Sequence, residues 1–390
     1  MRSRPSNPRL PPLWLSAAAL TSAISVAFAV QRWVAHFISD ANSDDFRLYY
    51  VSARIGLKYG WSHIYDLDLE RQLAAVYGPV DGVIGPHNNF VTPPPVAWLV
   101  APLTVVPLPA AYLIWTLVSL AALIFAWWLV CPGKGLARIT LLLIAIALWP
   151  MHYSFWQGQT EALTVLSLAA AWWFLKRERW APAGAAMAVG LFVKPQLVVL
   201  LPVALLISGR WKPAMYFALV AGIIGVITLA SLGSYGITSY QNSVNFTKDD
   251  PLHSVMTYGF LFGRGPIATG VEVVAGLVAL GLAWYRRDRL DLVFALAVVG
   301  CTASAFYLHE VDPAALIVPA WIVLGSRPSM PQRVWLLVGI LAAQLISIGL
   351  PTPMLLWEAG WIGMLGIEPW LAGRVRPVPS VPTAKPVGVT

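Results

Sequence analysis

Long apolar runs alternate with short charged or proline-rich stretches along most of this chain. An apolar run of about 20 residues is long enough to cross the ~30 Å hydrocarbon core of a bilayer as a helix. Runs near that length recur from one end to the other, for example at 13–30, 110–130, 213–232, 267–284, 290–307 and 334–350. The pattern predicts an all-α, polytopic transmembrane protein with about 11–13 membrane segments.

Composition and charge support a membrane protein and exclude a nucleic-acid partner. Of the 390 residues, 58% are hydrophobic and 11% are charged, whereas soluble domains are about 45–50% apolar. The net charge of +8 comes from basic clusters at predicted helix ends, such as 176–179, 210–212 and 286–289. The positive-inside rule places such clusters on the cytoplasmic side, against acidic lipid. We therefore predict the lipid bilayer as a partner and no nucleic acid. The two cysteines show no metal-ligand spacing, so no metal site is predicted.

The basic clusters also predict a topology in which several polar turns share the outer side. The first outer loop would span 33–92, and a second would span 233–265. Four segments follow the first loop, at 93–107, 110–130, 139–153 and 160–175. Four crossings would leave the cluster at 176–179 on the wrong side, so one of these segments does not cross. Segment 93–107 is short and rich in proline, which breaks the helical hydrogen-bond ladder. We expect it to enter the membrane only partway.

A single membrane domain is expected over residues 1–372. Within the first outer loop, the amphipathic stretch 48–65 is expected to lie along the membrane interface. Residues 373–390, rich in proline, valine and threonine, are expected to form a disordered tail.

Two kinds of charged residue stand out in this poorly charged chain. Asp44 and Asp45 follow shortly after the first apolar run, where a carboxylate could act as a general base beside the bilayer. The alternative is a helix N-cap, because Ser-Asp-Asp before an apolar periodic run is a common helix start. Lys194 interrupts an apolar hairpin. A charge at mid-membrane costs roughly 2.5–3.5 kcal/mol and usually marks a site, although a lysine can also extend to the interface.

The stretch 45–54, with the sequence DFRLYYVSAR, resembles the first outer loop of the polyprenyl-phosphate-mannose-dependent α-mannosyltransferases of glycosyltransferase family 87, which have the GT-C fold. Further similar motifs follow in the same order over residues 40–325. They are Gly60, 64–66, Phe90, 93–95, 101–103, Pro107, Trp115, 158–159, 190–196 and 210–211.

The resemblance implies an inverting sugar transfer from a polyprenyl-phosphate donor to a glycolipid or glycan acceptor. The implied site is on the extracytoplasmic side of the cytoplasmic (inner) membrane, and no cofactor is expected. By position, Asp45 would be the catalytic base and Asp44 the fallback. When Asp45 acts as the base, Asp44 is the helix cap.

The leaving group in such a transfer is a lipid phosphate, which needs cations or hydrogen-bond donors rather than a general acid. The candidate donor-phosphate residues are Lys194, His309, Arg47 and Arg264. His309 could instead cap a turn, and Arg47 and Arg264 could instead bind lipid headgroups.

The candidate sugar or acceptor pocket contains Tyr49, Gln159 and Glu310. Gln159 has an interhelical hydrogen bond as its alternative role.

Two other functions compete with mannosyl transfer. The same fold could use another polyprenyl-phosphate sugar such as arabinofuranose. A lipid or solute transporter is the rival from another class, but transporters often carry inverted repeats and charges at the membrane midplane. No repeat is evident in this sequence, and the candidate polar residues fall on one predicted side. These two observations favour an enzyme over a transporter. The resemblance to the family implies a hexosyltransferase, most often a mannosyltransferase, and the sequence does not separate mannose from another polyprenyl-phosphate sugar.

Overall fold

The computed structural model describes residues 11–39, 44–78, 89–248 and 251–372. Every regular element in these ranges is an α-helix or a short 3-10 helix, which confirms the all-α prediction. Five of the described helices are long and apolar enough to cross a membrane, or six if one bent pair counts as a single span. Six shorter apolar helices of 10–17 residues accompany them. The chain is therefore a multi-pass membrane protein.

Seventeen α-helices follow one another in the described ranges. They are α1 Leu13–Ser39, α2 Asp44–Tyr59, α3 Leu67–Ala74, α4 Pro94–Val100, α5 Leu108–Val130, α6 Gly135–Ala147, α7 Trp149–Gln157, α8 Glu161–Leu175, α9 Trp180–Val193, α10 Leu200–Ile207, α11 Trp211–Thr247, α12 Tyr258–Phe262, α13 Pro266–Tyr285, α14 Leu290–Ala303, α15 Ile317–Gly325, α16 Met330–Leu345 and α17 Thr352–Ala372.

The larger of two apolar cores surrounds α14. Residues 292–303 of this helix are all buried, because α14 packs against α10, α13, α15 and α17. A helix that is apolar on every side is stable only when neighbours cover all of its faces. This central helix therefore organises the second half of the bundle.

The smaller core surrounds α2. Residues 46–53 are all buried, and α2 packs against α3, α4 and α5. Farther along the same helix, Leu57 and Tyr59 are exposed. Protein helices therefore cover the first part of the stretch 48–65, and its position along the membrane interface stays a prediction. The first predicted outer loop is thus a packed helical subdomain in its described part.

Two predicted segments also differ in detail. The predicted segment 139–153 is divided between α6 and α7, which are bent by 56°. Pro150 is the second residue of α7, where its missing N–H leaves no helical bond unmade. The predicted outer loop 233–265 begins at a kink, where Gly233 has a non-helical φ of 59°, and its first part is a second helix that continues to Thr247. The α11 range therefore contains two helices that meet at Gly233.

Segment 93–107 forms α4 and the 3-10 helix Ala101–Val105. At the usual rises per residue these two pieces extend about 20 Å, which is shorter than a ~30 Å hydrocarbon core. This length fits the predicted incomplete crossing. The predicted disordered tail, 373–390, lies outside the described residues.

Candidate functional site

A cavity of about 650 Å³ opens between α2, α11, α13 and the turns that follow α9 and α14. Five of the nine candidate residues line it, namely Tyr49, Gln159, Lys194, Arg264 and His309. These five come from five separate stretches of sequence. The structure therefore brings most of the candidate set to one place, as the predicted topology required.

The turn between α7 and α8 forms the wall nearest α2. Gly158 has a left-handed φ of 66°, and a Cβ there would lie 2.6 Å from Cβ of Phe46. Trp115 Nε1 donates to the Gly158 carbonyl at 2.7 Å. Only glycine allows the turn to approach α2 this closely. Gln159 is therefore held directly beside Asp45, the residue that precedes Phe46.

The Asp45 carboxylate is part of a hydrogen-bonded chain. Gln159 Nε2 donates to Asp45 Oδ2 at 2.5 Å, and the Tyr49 hydroxyl donates to Gln159 Oε1 at 2.7 Å. Burial raises the pKa of Tyr49 well above its usual value, so its phenol stays protonated and acts as a donor. Asp45 itself is half-buried and reaches the cavity wall through Gln159.

Lys194 follows α9 and makes two buried ion pairs. Its Nζ lies 2.7 Å from Glu161 Oε1 and 3.1 Å from Asp312 Oδ1. Burial would lower the pKa of Lys194, but Asp312 and Glu161 hold it well above its usual value. Ser154 Oγ also donates to Glu161 Oε2 at 2.8 Å. A buried charge needs such partners, and here the protein supplies them itself.

His309 also lines the cavity, and a hydrogen bond to Asp312 links it to the same ion pairs. Its backbone N–H donates to Asp312 Oδ2 at 2.6 Å, and its Nε2 is 2.9 Å from the Tyr307 hydroxyl. The ring of His253 lies 5.1 Å away. Burial, followed by Lys194 and His253, lowers the pKa of His309 well below its usual value. The imidazole is therefore neutral near pH 7.

Arg264 is an exposed cation on the cavity wall. Its Nε donates to Ser254 Oγ at 3.0 Å and its Nη1 donates to the Lys248 carbonyl at 2.8 Å. These bonds hold the guanidinium beside Lys248, which also lines the cavity. Positive charge is thus placed at the exposed side of the cavity.

Of the other four candidate residues, Asp45, Arg47 and Glu310 do not line the cavity, and Asp45 reaches it through Gln159. The Arg47 side chain is only 1% exposed and does not line the cavity. Glu310 accepts a hydrogen bond from Trp149 Nε1 at 2.9 Å and is turned towards α7. Asp44 begins α2, but its side chain lies outside the described residues.

The sequence placed Glu161 and Asp312 in the polar turns that share the predicted outer side, but it gave neither of them, nor His253, a role in the site. Glu161 and Asp312 each follow a polar turn and precede an apolar helix, which is a pattern shared with ordinary helix starts. Their pairing with Lys194 joins residues 33 and 118 positions apart, judged from the residue numbers, and has no local signal.

The described helices and the polar cavity among them define a multi-pass membrane protein with a polar site walled by several helices. The family model described as "Glycosyltransferase family 87" matches residues 90–308. This range is more than half of the chain, and the chain belongs to that family. No curated protein and no solved structure matches it.

Family membership makes the protein a membrane glycosyltransferase, which implies lipid-linked substrates and a bilayer. The matched range contains Gln159, Lys194 and Arg264 but begins after Asp45 and ends just before His309. The position of these last two at the site therefore comes from the structure.

Proposed function

We propose that the protein transfers mannose from polyprenyl-phosphate-mannose to a glycolipid or glycan acceptor on the outer face of the cytoplasmic membrane. The observation that carries this proposal is the Asp45 carboxylate, which Gln159 holds beside the cavity. A single oriented carboxylate is what an inverting transfer requires, because one base accepts the proton of the attacking hydroxyl.

The proposed reaction breaks one bond and forms one. The acceptor hydroxyl oxygen attacks the anomeric carbon on the face opposite the phosphate, and Asp45 takes the hydroxyl proton. The bond between the anomeric carbon and the phosphate oxygen breaks, and the lipid phosphate leaves with the electron pair. Because a phosphate leaves as a stabilised anion, no second carboxylate is needed as an acid.

Two wall residues support binding of the donor phosphate. Neutral His309 can donate one hydrogen bond, and Arg264 offers a planar set of N–H donors suited to phosphate oxygens. Lys194 also lines the cavity, but two carboxylates already pair with its ammonium. We therefore assign its main part to holding the site together.

The sugar would lie in the cavity beside the wall that Tyr49 lines. No donor contact is proposed for Gln159, whose amide already binds Asp45 and Tyr49. Tyr240 and Phe306 also line the cavity and offer ring faces on which apolar sugar or lipid surfaces can pack. Arg47 and Glu310 are off the wall, so no substrate contact is proposed for them.

The test is a transfer assay with the full-length protein in nanodiscs, using polyprenyl-phosphate-[14C]mannose and a membrane lipid extract. Asp45→Asn should lower the rate by about 10²–10⁴-fold because the base is lost. Asp66→Asn is the matched control. Asp66 lies in the same segment and caps α3, and asparagine caps equally well.

Three other results of the assay would each change a different part of the proposal. Equal rates for wild type and Asp45→Asn would remove Asp45 as the base and direct attention to Asp44. Transfer from polyprenyl-phosphate arabinofuranose, and none from the mannose donor, would overturn the sugar assignment. Absence of donor binding would favour a transporter.

A further inference from the structure

We infer that Gln159 is a positioning residue that orients the Asp45 carboxylate, and that Tyr49 sets the direction in which the Gln159 amide faces. The inference rests on the proposed function, because it concerns how the proposed base is held. It gives Gln159 a part that differs from sugar binding.

Backbone contacts fix the position of Gln159 independently of its side chain. Its N–H donates to the Ser154 carbonyl at 2.9 Å. The preceding Gly158 is in contact distance of Phe46 and accepts from Trp115. The Gln159 side chain is only 8% exposed. A side chain on so constrained a turn has few rotamers, so its amide group is placed accurately against α2.

The amide can satisfy its two neighbours in only one orientation. An ionised carboxylate only accepts hydrogen bonds, so Gln159 must present its NH₂ group to Asp45. Its carbonyl then faces Tyr49, whose protonated hydroxyl donates. If the amide turned over, its oxygen would face the Asp45 carboxylate and the two acceptors would repel each other. The phenol of Tyr49 therefore stabilises the working orientation.

The hydrogen bond from Gln159 sets the direction in which the Asp45 carboxylate oxygens point. A bond to Oδ2 fixes the rotation of the carboxylate about its Cβ–Cγ axis, and with it the direction of the second oxygen. A donor on the carboxylate also favours its ionised form, which is the form that accepts a proton from the acceptor hydroxyl. Gln159 would thus act on the rate of the chemical step and on its pH dependence, without needing to touch the donor.

The experiment measures kcat, donor KM and the pH–rate profile for Gln159→Leu, Gln159→Glu and Tyr49→Phe. Gln159→Leu should lower kcat about 10- to 100-fold, as expected for the loss of a hydrogen bond to a charged group, with donor KM within about 2-fold. The acid limb of the profile should move to higher pH, since a carboxylate without its donor holds a proton more tightly. Gln159→Glu should move the limb further, because like charges face each other.

Tyr49→Phe tests the second half of the inference. It should reduce kcat less than Gln159→Leu does. The double variant should be no slower than Gln159→Leu alone, because Tyr49 acts through Gln159.

The matched control is Gln157→Leu. Gln157 is in the same turn and its amide donates to the Tyr153 hydroxyl at 2.9 Å, so this variant should leave the acid limb in place. An equal shift in Gln157→Leu, or a fall in kcat for the Gln159 variants with an unmoved limb, would overturn the inference.

Failure of this inference and failure of the proposed function give different results. If Asp45→Asn retains full activity, the proposed base is wrong. If Asp45→Asn is inactive while the Gln159 and Tyr49 variants match wild type in rate and profile, only the positioning role is wrong. Should Gln159→Leu fail to fold, as judged by thermal unfolding, the nearly isosteric Gln159→Glu and Tyr49→Phe carry the same test.

Discussion

The ammonium nitrogen of Lys194 lies 2.7 Å from a carboxylate oxygen of Glu161, which joins the end of α9 to the first residue of α8. Asp312 completes the group on the other side at 3.1 Å and also accepts the backbone N–H of His309. One buried lysine therefore connects both walls of the cavity. Gln159 is two residues before Glu161, so the same group supports the turn that holds Asp45.

Replacing Lys194 should destabilise the protein. Lys194→Met leaves two buried carboxylates without their cation, which costs about 3–5 kcal/mol. The expected result is a lower thermal unfolding midpoint in detergent, with part of the loss restored by Glu161→Gln in the same chain. Lys176→Met, at an exposed position, is the control. An unchanged midpoint combined with weaker donor binding would instead show that Lys194 acts mainly on the phosphate.

The close approach at Gly158 should make this position intolerant of a side chain. Gly158→Ala meets Phe46 at 2.6 Å and carries the left-handed strain as well. Overpacking costs about 1–3 kcal/mol, and left-handed backbone costs about 1–2 kcal/mol. Gly209→Ala separates the two effects, because Gly209 has φ 84° but nothing within 4 Å of the added Cβ.

Only Gly158→Ala should also lose transfer activity, since it pushes the turn away from α2. Unfolding midpoints and rates of both variants provide the measurement. Equal loss of activity in the two variants would show that the contact with Phe46 is unimportant.

A buried carboxyl group beneath the cavity wall should make stability depend on pH. Glu70 is 2% exposed, and its Oε1 accepts the N–H of Phe90 at 2.9 Å. Burial raises the pKa of Glu70 from 4.5 to about 8. The folded state therefore keeps a proton that the unfolded chain loses, and stability falls as pH rises from about 4.5 to about 8, by up to about 1.4 kcal/mol per pH unit.

Unfolding midpoints of wild type and Glu70→Gln across this pH range test the point. For the variant, the plot of unfolding midpoint against pH should be flatter between about pH 5 and about pH 8. This range lies between the pKa of Glu70 in the unfolded chain and its pKa in the folded protein. Glu178→Gln, at an exposed position, should keep the wild-type slope. A wild-type midpoint that rises over the same range would contradict the prediction.

Arg264 should affect donor binding more than the chemical step. Arg264→Gln removes a cation at the exposed side of the cavity and should raise the donor KM about 10-fold or more, as for loss of a charge-assisted hydrogen bond. The assay is run in a neutral detergent, so that effects on anionic lipid headgroups do not contribute. Arg289→Gln, whose native partner is Asp291, is the control. An unchanged KM would assign Arg264 to headgroups.

Several features of this protein follow from the sequence because they depend on local composition. The long apolar runs predicted α5, the first part of α11, α13 and α16, since a bilayer selects helices of that length and apolarity. The basic clusters predicted which polar turns share one side, and the five candidate residues that line the cavity come from those turns. The short, proline-rich segment 93–107 likewise has the limited length that its composition predicted.

The tertiary structure alone decided which of these residues touch. Packing buried the first half of α2 among protein helices, and it turned Glu310 towards Trp149 and away from the cavity. It placed Gln159 against Asp45 across 114 positions of sequence and gave Lys194 two carboxylate partners. Side-chain direction and contacts between distant segments depend on how helices pack against each other, which no local pattern encodes.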